Sequence, residues 1–173
     1  MKLTYGPMEK GFFAGTYAIH MKFNSTKKYK NLDAWEKEVI KFLKKCEPLK
    51  YKNIVIYEPF LDGNYMFFLT KALRQYGYNI SLKIDGETLY QWIDDKTWVI
   101  VENNSNKKLI INGSELWFEV IDKKTKEPET LPSKVPFHYF AFSKDVKLLH
   151  DWMKTSKHFW RILPKVQKIS EVI

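Results

Sequence analysis

Residues Lys52–Ile84 have the sequence KNIVIYEPFLDGNYMFFLTKALRQYGYNISLKI, and this stretch decides the fold class. Lys52–Tyr57 is a short, nearly continuous apolar run, which is typical of a buried parallel strand. Asp62–Tyr76 places apolar residues on one helical face and is followed by Gly77, a common helix stop; the residues predicted to face inward are Tyr65, Leu69, Ala72, Leu73 and Tyr76. Asn79–Ile84 is again strand-like. A strand, a helix and a second strand in succession predict an α/β fold with a parallel sheet flanked by helices.

The same alternation extends in both directions along the chain. Strands are predicted at 16–23, 97–102, 115–121 and 137–142, a small strand at 108–111, helices at 32–46 and 144–154, and a helical turn at 87–93. Asp33 is the predicted cap of the helix at 32–46. The residues of the helix at 144–154 that are predicted to face inward are Val146, Leu149, Trp152 and Met153. The stretch 122–136 is polar and carries three prolines, which predicts a mobile loop. With no internal repeat, the whole chain, 1–173, is predicted to be one domain.

Composition favours an ordinary globular protein. The chain has 173 residues, of which 45% are hydrophobic and 28% charged. No apolar run approaches the roughly 20 residues of a membrane helix, and the first residues lack the layout of a secretory signal. The single cysteine, Cys46, excludes an intramolecular disulfide and any site built on several thiolates. These features predict a cytoplasmic protein with no membrane partner.

The net charge of +9 raises the question of nucleic-acid binding. Arg74 and Arg161 are the only arginines among 29 basic residues, and forked recognition of phosphates and bases favours arginine. Nucleic-acid binding is therefore the weaker expectation. Its candidate basic surface consists of six lysines, Lys27, Lys28, Lys30, Lys123, Lys124 and Lys126.

Candidate ligand-binding residues are predicted from their place relative to the strands. Four of them lie at or just beyond the carboxyl end of a predicted strand, where open α/β sheets and barrels usually bind ligands; these are Lys22, Asn24, Glu58 and Asp85. Tyr57 adds a flat ring beside Glu58, and Lys22 is expected to pair with Glu58 there. The ordinary alternative is a set of solvated loop residues. The histidines fit no metal motif, and no phosphate loop or nucleophile elbow is present, so no metal site and no catalytic residue are predicted.

Several segments, in order, resemble one enzyme family. They are GFFAGTYAIHMKF (11–23), IVIYEPFL (54–61), GYNI (77–80), SELWFEV (114–120) and WRILPKVQKI (160–169). Together they resemble the 7-carboxy-7-deazaguanine synthases (QueE-like), which are small radical S-adenosylmethionine enzymes. The resemblance implies a truncated, open, mostly parallel (β/α) barrel that is commonly a homodimer.

The positions that carry the family's chemistry differ. The family has a loop of three cysteines after the first strand motif, whereas here Phe23 leads directly into Asn24. Lys10 and Lys22 stand where the family has a glutamate and an arginine. Because the iron–sulfur cluster needs three thiolates, the resemblance implies an inactive protein without a cofactor.

The first functional expectation is therefore an inactive QueE-like protein that binds a protein partner, which would suit a viral or mobile-element factor. The second is a binder of a purine-, deazapurine- or pterin-like molecule, and the third is nucleic-acid binding.

Overall fold

The computed structural model describes residues 2–8, 10–22, 32–47, 51–57, 63–87, 90–104, 113–128 and 138–163. Its eight strands form one open sheet in which they lie in chain order. Strand Tyr17–Lys22 pairs in parallel with Asn53–Tyr57. Each neighbouring pair in the series Trp98–Asn104, Glu115–Glu119, His138–Phe142 and Arg161–Ile162 is also parallel. The predicted α/β class with a mostly parallel open sheet is confirmed.

The elements follow the sequence closely. The strands are Lys2–Pro7 (β1), Tyr17–Lys22 (β2), Asn53–Tyr57 (β3), Asn79–Ile84 (β4), Trp98–Asn104 (β5), Glu115–Glu119 (β6), His138–Phe142 (β7) and Arg161–Ile162 (β8). The helices are Leu32–Cys46 (α1), Gly63–Gln75 (α2) and Val146–Thr155 (α3). The sequence did not predict β1 or β8, and the predicted strand at 108–111 lies outside the described residues.

The chain forms two compact units. Unit 1 comprises Met1–Gly6, Tyr17–Leu82 and Tyr90–Thr97, and unit 2 comprises Pro7–Thr16, Lys83–Leu89 and Trp98–Ile173. The single-domain expectation stays a prediction.

In unit 1 the apolar stripes of α1 and α2 are buried as their spacing predicts. The buried residues of the predicted stripes are Val39, Phe42, Leu43 and Cys46 from α1 and Leu69 and Leu73 from α2. Met66, which was not assigned to the stripe, is fully buried, whereas Tyr65 and Ala72 are only partly buried. Asp33, predicted as the N-terminal cap of α1, lies within its first turn. Tyr76, expected to face inward, is 63% exposed because α2 ends at Gln75.

In unit 2 the amphipathic helix α3 covers one face of the sheet. The carboxylate of Asp145 caps it by accepting hydrogen bonds from the amides of Lys147 and Leu148. Trp152, buried on α3, stacks on Phe118 of β6 at 5.6 Å between ring centroids, and Trp160 lies 5.5 Å from Trp152. Val146, expected to face inward, is exposed because it is the first residue of the helix.

Side chains of α3 and of the segment after it hold the part of the predicted loop that is described, 122–128. The indole N–H of Trp152 donates to the carbonyl of Thr125 (2.8 Å), and the indole N–H of Trp160 donates to Glu127 (3.2 Å). Glu127 also pairs with His158 at 2.9 Å. The remainder of 122–136 lies outside the described residues, and its mobility stays a prediction.

Within the described residues, no helix has the length and apolar character that a membrane crossing requires.

Truncating a buried and an exposed residue of α2 tests the assignment of its two faces. Leu69→Ala should lower the free energy of unfolding by about 2–5 kcal/mol, because it opens a cavity at a fully buried position. Phe68→Ala, next to it but 47% exposed, should change stability by no more than about 0.5 kcal/mol. Urea unfolding of both variants measures the difference. Equal losses would contradict the assignment.

Candidate functional site

The structure brings two of the five predicted ligand-binding residues together. Lys22 and Tyr57 are register partners on β2 and β3, and the Lys22 ammonium lies 5.1 Å from the centre of the Tyr57 ring. His20, also on β2, bridges the Tyr57 hydroxyl (2.8 Å) and the Gly6 carbonyl (3.2 Å). Unit 1 therefore carries a small polar cluster of His20, Lys22 and Tyr57.

The other predicted site residues are less informative. Asn24 and Glu58 lie outside the described residues, so the expected pairing of Lys22 with Glu58 stays a prediction. Asp85, in unit 2, is exposed and accepts a hydrogen bond from the Glu87 amide (2.9 Å), which gives its carboxylate a local turn-stabilising contact.

The basic surface is described only in part. Lys123, Lys124 and Lys126 are exposed on the turn after β6, whereas Lys27, Lys28 and Lys30 lie outside the described residues. The turn is fixed by Asp122, whose carboxylate accepts hydrogen bonds from the Lys124 amide and the Thr125 hydroxyl.

Unit 2 contains a second set of polar and aromatic groups on one face of its sheet. The register of β5, β6 and β7 places polar and aromatic side chains of all three strands on one face of the sheet, which we call the Trp117 face. Its residues are Glu102, Glu115, Trp117, Glu119, His138, Phe140 and Phe142. The Lys83 ammonium pairs with Glu102 at 2.6 Å and lies 4.8 Å from the centre of the Trp117 ring. The Lys10 ammonium lies 5.1 Å from the ring of Phe142.

Glu115, the first residue of β6, is the most constrained group on this face. It is fully buried, and its Oε2 accepts a hydrogen bond from the Phe12 amide at 2.8 Å. Its Oε1 and the indole nitrogens of Trp98 and Trp117 are buried and make no hydrogen bond of regular geometry. Burial raises the pKa of Glu115 to about 7, although the Phe12 amide and the two nearby indole N–H groups act to lower it.

Aromatic rings cover the start of these strands. Phe12 stacks on His138 with ring centroids 4.2 Å apart and on Trp98 at 5.4 Å. Phe13 meets the edge of Trp98 at 4.9 Å. Burial lowers the pKa of His138, and the charge of Arg161 lowers it further. The turn 11–15 thus rests on the first residues of β5, β6 and β7.

Gly11 allows this close approach. Its φ of +93° lies in the region that favours glycine, and a Cβ there would stand 2.7 Å from the Trp117 ring and 2.8 Å from Glu115 Oε1.

Sequence reasoning did not select Glu115, Trp117 or Lys83 as site residues. The available signal was the SELWFEV segment, in which Glu115, Trp117 and Glu119 alternate with apolar residues and so share one face of a strand. Within the described residues, no three His, Cys, Asp or Glu side chains are grouped to hold a metal ion.

A mostly parallel open sheet with helices and a polar face defines an open α/β barrel. Among solved structures, QueE from Escherichia coli is similar, with a TM-score of 0.64 over 96% of this chain and 92% of that chain at 13% identity. This likeness shows a QueE-like fold. No family model matches the chain, and no curated protein matches it by sequence.

Replacing Glu115 by glutamine should make stability respond differently to pH. The folded-state pKa of about 7 lies above the usual 4.5, so the stabilising contribution of the protonated acid is complete below pH 4.5 and is lost as the pH rises to about 7. The unfolding free energy of Glu115→Gln relative to wild type should therefore rise between pH 4.5 and 7, by roughly 3 kcal/mol at most. Urea unfolding across this range measures the change, with Glu119→Gln on the same strand as the control. If the difference in unfolding free energy between Glu115→Gln and wild type stays constant across this range, the pKa of Glu115 is not raised in the folded protein.

Two glycine substitutions separate steric contact from backbone strain. Gly77→Ala has a φ of +79° but open space around the new methyl group, so it should cost about 1–3 kcal/mol from strain alone. Gly11→Ala adds the collision with Trp117 and Glu115 and should cost clearly more. Thermal and urea unfolding of both variants provide the comparison. Equal costs would mean that Gly11 is not packed against these side chains.

Proposed function

We propose that this protein is a noncatalytic, cytoplasmic binding protein on a QueE-like fold, and that it binds another protein. The observation that carries the proposal is the covered Trp117 ring at the centre of the Trp117 face. The Trp117 ring is only 4% exposed, with the Lys83 ammonium over it and the Gly11 backbone against it. A planar ligand could use this ring only by displacing groups of the chain itself, so the outer surfaces are left for recognition.

The cysteine content supports the absence of radical chemistry. The family resemblance implies a cluster held by three thiolates, and Cys46 is the one cysteine of the chain. Cys46 is fully buried on α1, and burial raises the pKa of its thiol to about 11. Because the thiolate is the ligand form, this residue does not fit a cluster site.

Glu115 gives no support to a different acid–base activity. Its pKa lies in the range useful for proton transfer, but the side chain is fully buried beneath the turn that contains Phe12. A substrate does not reach this carboxylate unless that turn moves away. We therefore assign Glu115 a structural role.

Recovery of a specific partner tests the proposal directly. The tagged protein, purified from its native cell at physiological salt, should retain a stoichiometric protein partner that is absent from a tag-only control. The complex should form again from purified components. If no partner survives this reconstitution, the proposal of protein binding is wrong.

Binding of a purine-, deazapurine- or pterin-like ring is the second candidate, and one observation favours it. Tyr57 is only partly buried in unit 1, with Lys22 over its ring and His20 on its hydroxyl. Such a ligand would raise the melting temperature by mass action. A rise that Tyr57→Ala abolishes would favour this candidate over protein binding.

Reconstitution under anaerobic conditions tests the loss of the cofactor. Incubated with iron and sulfide, the protein should stay colourless and leave S-adenosylmethionine intact, because one buried thiol cannot hold a cluster. Visible absorbance and iron analysis measure this, with Cys46→Ala as the matched control for adventitious iron. A stoichiometric cluster that disappears in Cys46→Ala would contradict the proposal.

A further inference from the structure

The solvent face of α2 carries an unusual pair of aromatic residues. The exposed positions of this helix recur at helical spacing and so share one face; they are Asn64, Phe67, Phe68, Lys71 and Gln75. Phe67 is 49% exposed and Phe68 is 47% exposed, with their rings 5.9 Å apart in an edge contact. Tyr76, just after the helix, is also largely exposed.

The core of unit 1 does not need these rings. Met66, Leu69 and Leu73 are fully buried and already provide the apolar stripe with which α2 packs. Contiguous exposed apolar surface, in contrast to apolar residues exposed singly, is a feature of interaction sites on proteins. Aromatic side chains are also enriched at protein interfaces.

The same face carries one positive charge, that of Lys71, and no negative charge. Residues 63–77 contain no aspartate or glutamate. The Lys71 ammonium lies 6.0 Å from the centre of the Phe67 ring, so charge and apolar surface are adjacent. Arg74 forms a salt bridge with Asp94 and donates a hydrogen bond to the Thr97 hydroxyl, so its charge is already paired. Lys71 is therefore the cation of the exposed face. The complementary surface would combine apolar and acidic side chains.

We propose that Phe67, Phe68 and Lys71 form a docking surface for a partner protein, and that the partner contributes a segment combining acidic and apolar side chains. This inference rests on the proposed protein-binding function and specifies both its surface and the chemistry of its partner. A lipid surface fits less well, because helices that bind lipid surfaces are rich in lysine and arginine on their polar face, and Lys71 is the one exposed cation here.

Site-specific photo-crosslinking locates the surface. The crosslinking residue p-benzoylphenylalanine is placed at Phe68 in the full chain, and in a control at Val146 of α3, which is 74% exposed in unit 2. In the native cell, the probe at Phe68 should link to a peptide that carries both acidic and apolar residues, and the probe at Val146 should not. Linkage to a second copy of this chain, or to a basic peptide, would overturn the inference.

Affinity measurements with the purified partner then test the chemistry. Phe68→Ala should weaken binding at least tenfold, because aromatic anchors commonly dominate interface energy. Lys71→Glu should weaken it several-fold, and more at low than at high salt, because salt screens the lost charge attraction. Lys144→Glu, an exposed lysine next to α3, is the matched charge control and should have little effect. Unchanged melting temperatures would show that the variants are folded.

The possible failures can be told apart. If the partner binds all variants equally, the α2 surface is wrong but protein binding stands. If vesicles of phosphatidylcholine and phosphatidylserine bind the chain and Phe68→Ala abolishes that binding, the surface recognises lipid and the inference is overturned. If no protein partner is found at all, the proposed function itself fails.

Discussion

The hydrogen bond from the Phe12 amide to the buried Glu115 carboxylate organises unit 2. It joins residues 103 positions apart in the chain and holds the turn 11–15 against the first residues of three parallel strands. The bond is made possible by Gly11, since a side chain there would collide with Trp117 and with Glu115 itself. The packing of this turn therefore depends on three features together. They are the buried acid Glu115 at the start of β6, the positive φ of Gly11, and the stacking of Phe12 on the rings of Trp98 and His138.

The two polar clusters differ in what they leave accessible. In unit 1, Lys22 is exposed and Tyr57 is half-buried, so their pairing stands at the edge of the solvent. In unit 2, Lys83 and Glu102 neutralise one another beside a covered Trp117 ring. Opposite charges paired with each other are less available to a ligand. The Trp117 face carries polar and aromatic groups like those of a binding site, but Glu115 and Trp117 at its centre are covered by the chain itself.

Local patterns were sufficient to predict most of the fold. The bounds of α1 and β4 agree residue for residue with the prediction, because helical spacing and strand alternation express burial directly. Strands β1 and β8 were not predicted: β8 is two residues long and exposed, so it has no apolar pattern. Tyr76 and Val146 were assigned to buried stripes, but each stands at a helix end, where the periodic argument no longer applies.

The candidate site was harder to predict for a physical reason. Placing Lys22 and Tyr57 near strand ends required only the direction of parallel strands, and their register makes them neighbours. The burial of Glu115 depends instead on the turn that covers it, which is distant in sequence. No local pattern reports such a contact. The acid at a strand start was visible in the sequence, but the groups that enclose it were not.

The close contact of two tryptophans in unit 2 also has an optical consequence. The chain has six tryptophans, of which Trp35 and Trp92 belong to unit 1 and the other four to unit 2; those four are Trp98, Trp117, Trp152 and Trp160. With Trp152 and Trp160 rings 5.5 Å apart, excitation absorbed by one indole passes readily to the other. Four of the six indoles therefore report on the environment of unit 2. Among the described helices, α1 and α2 of unit 1 contribute most of the helical signal in far-ultraviolet circular dichroism. The chain carries an intrinsic spectroscopic label for each half.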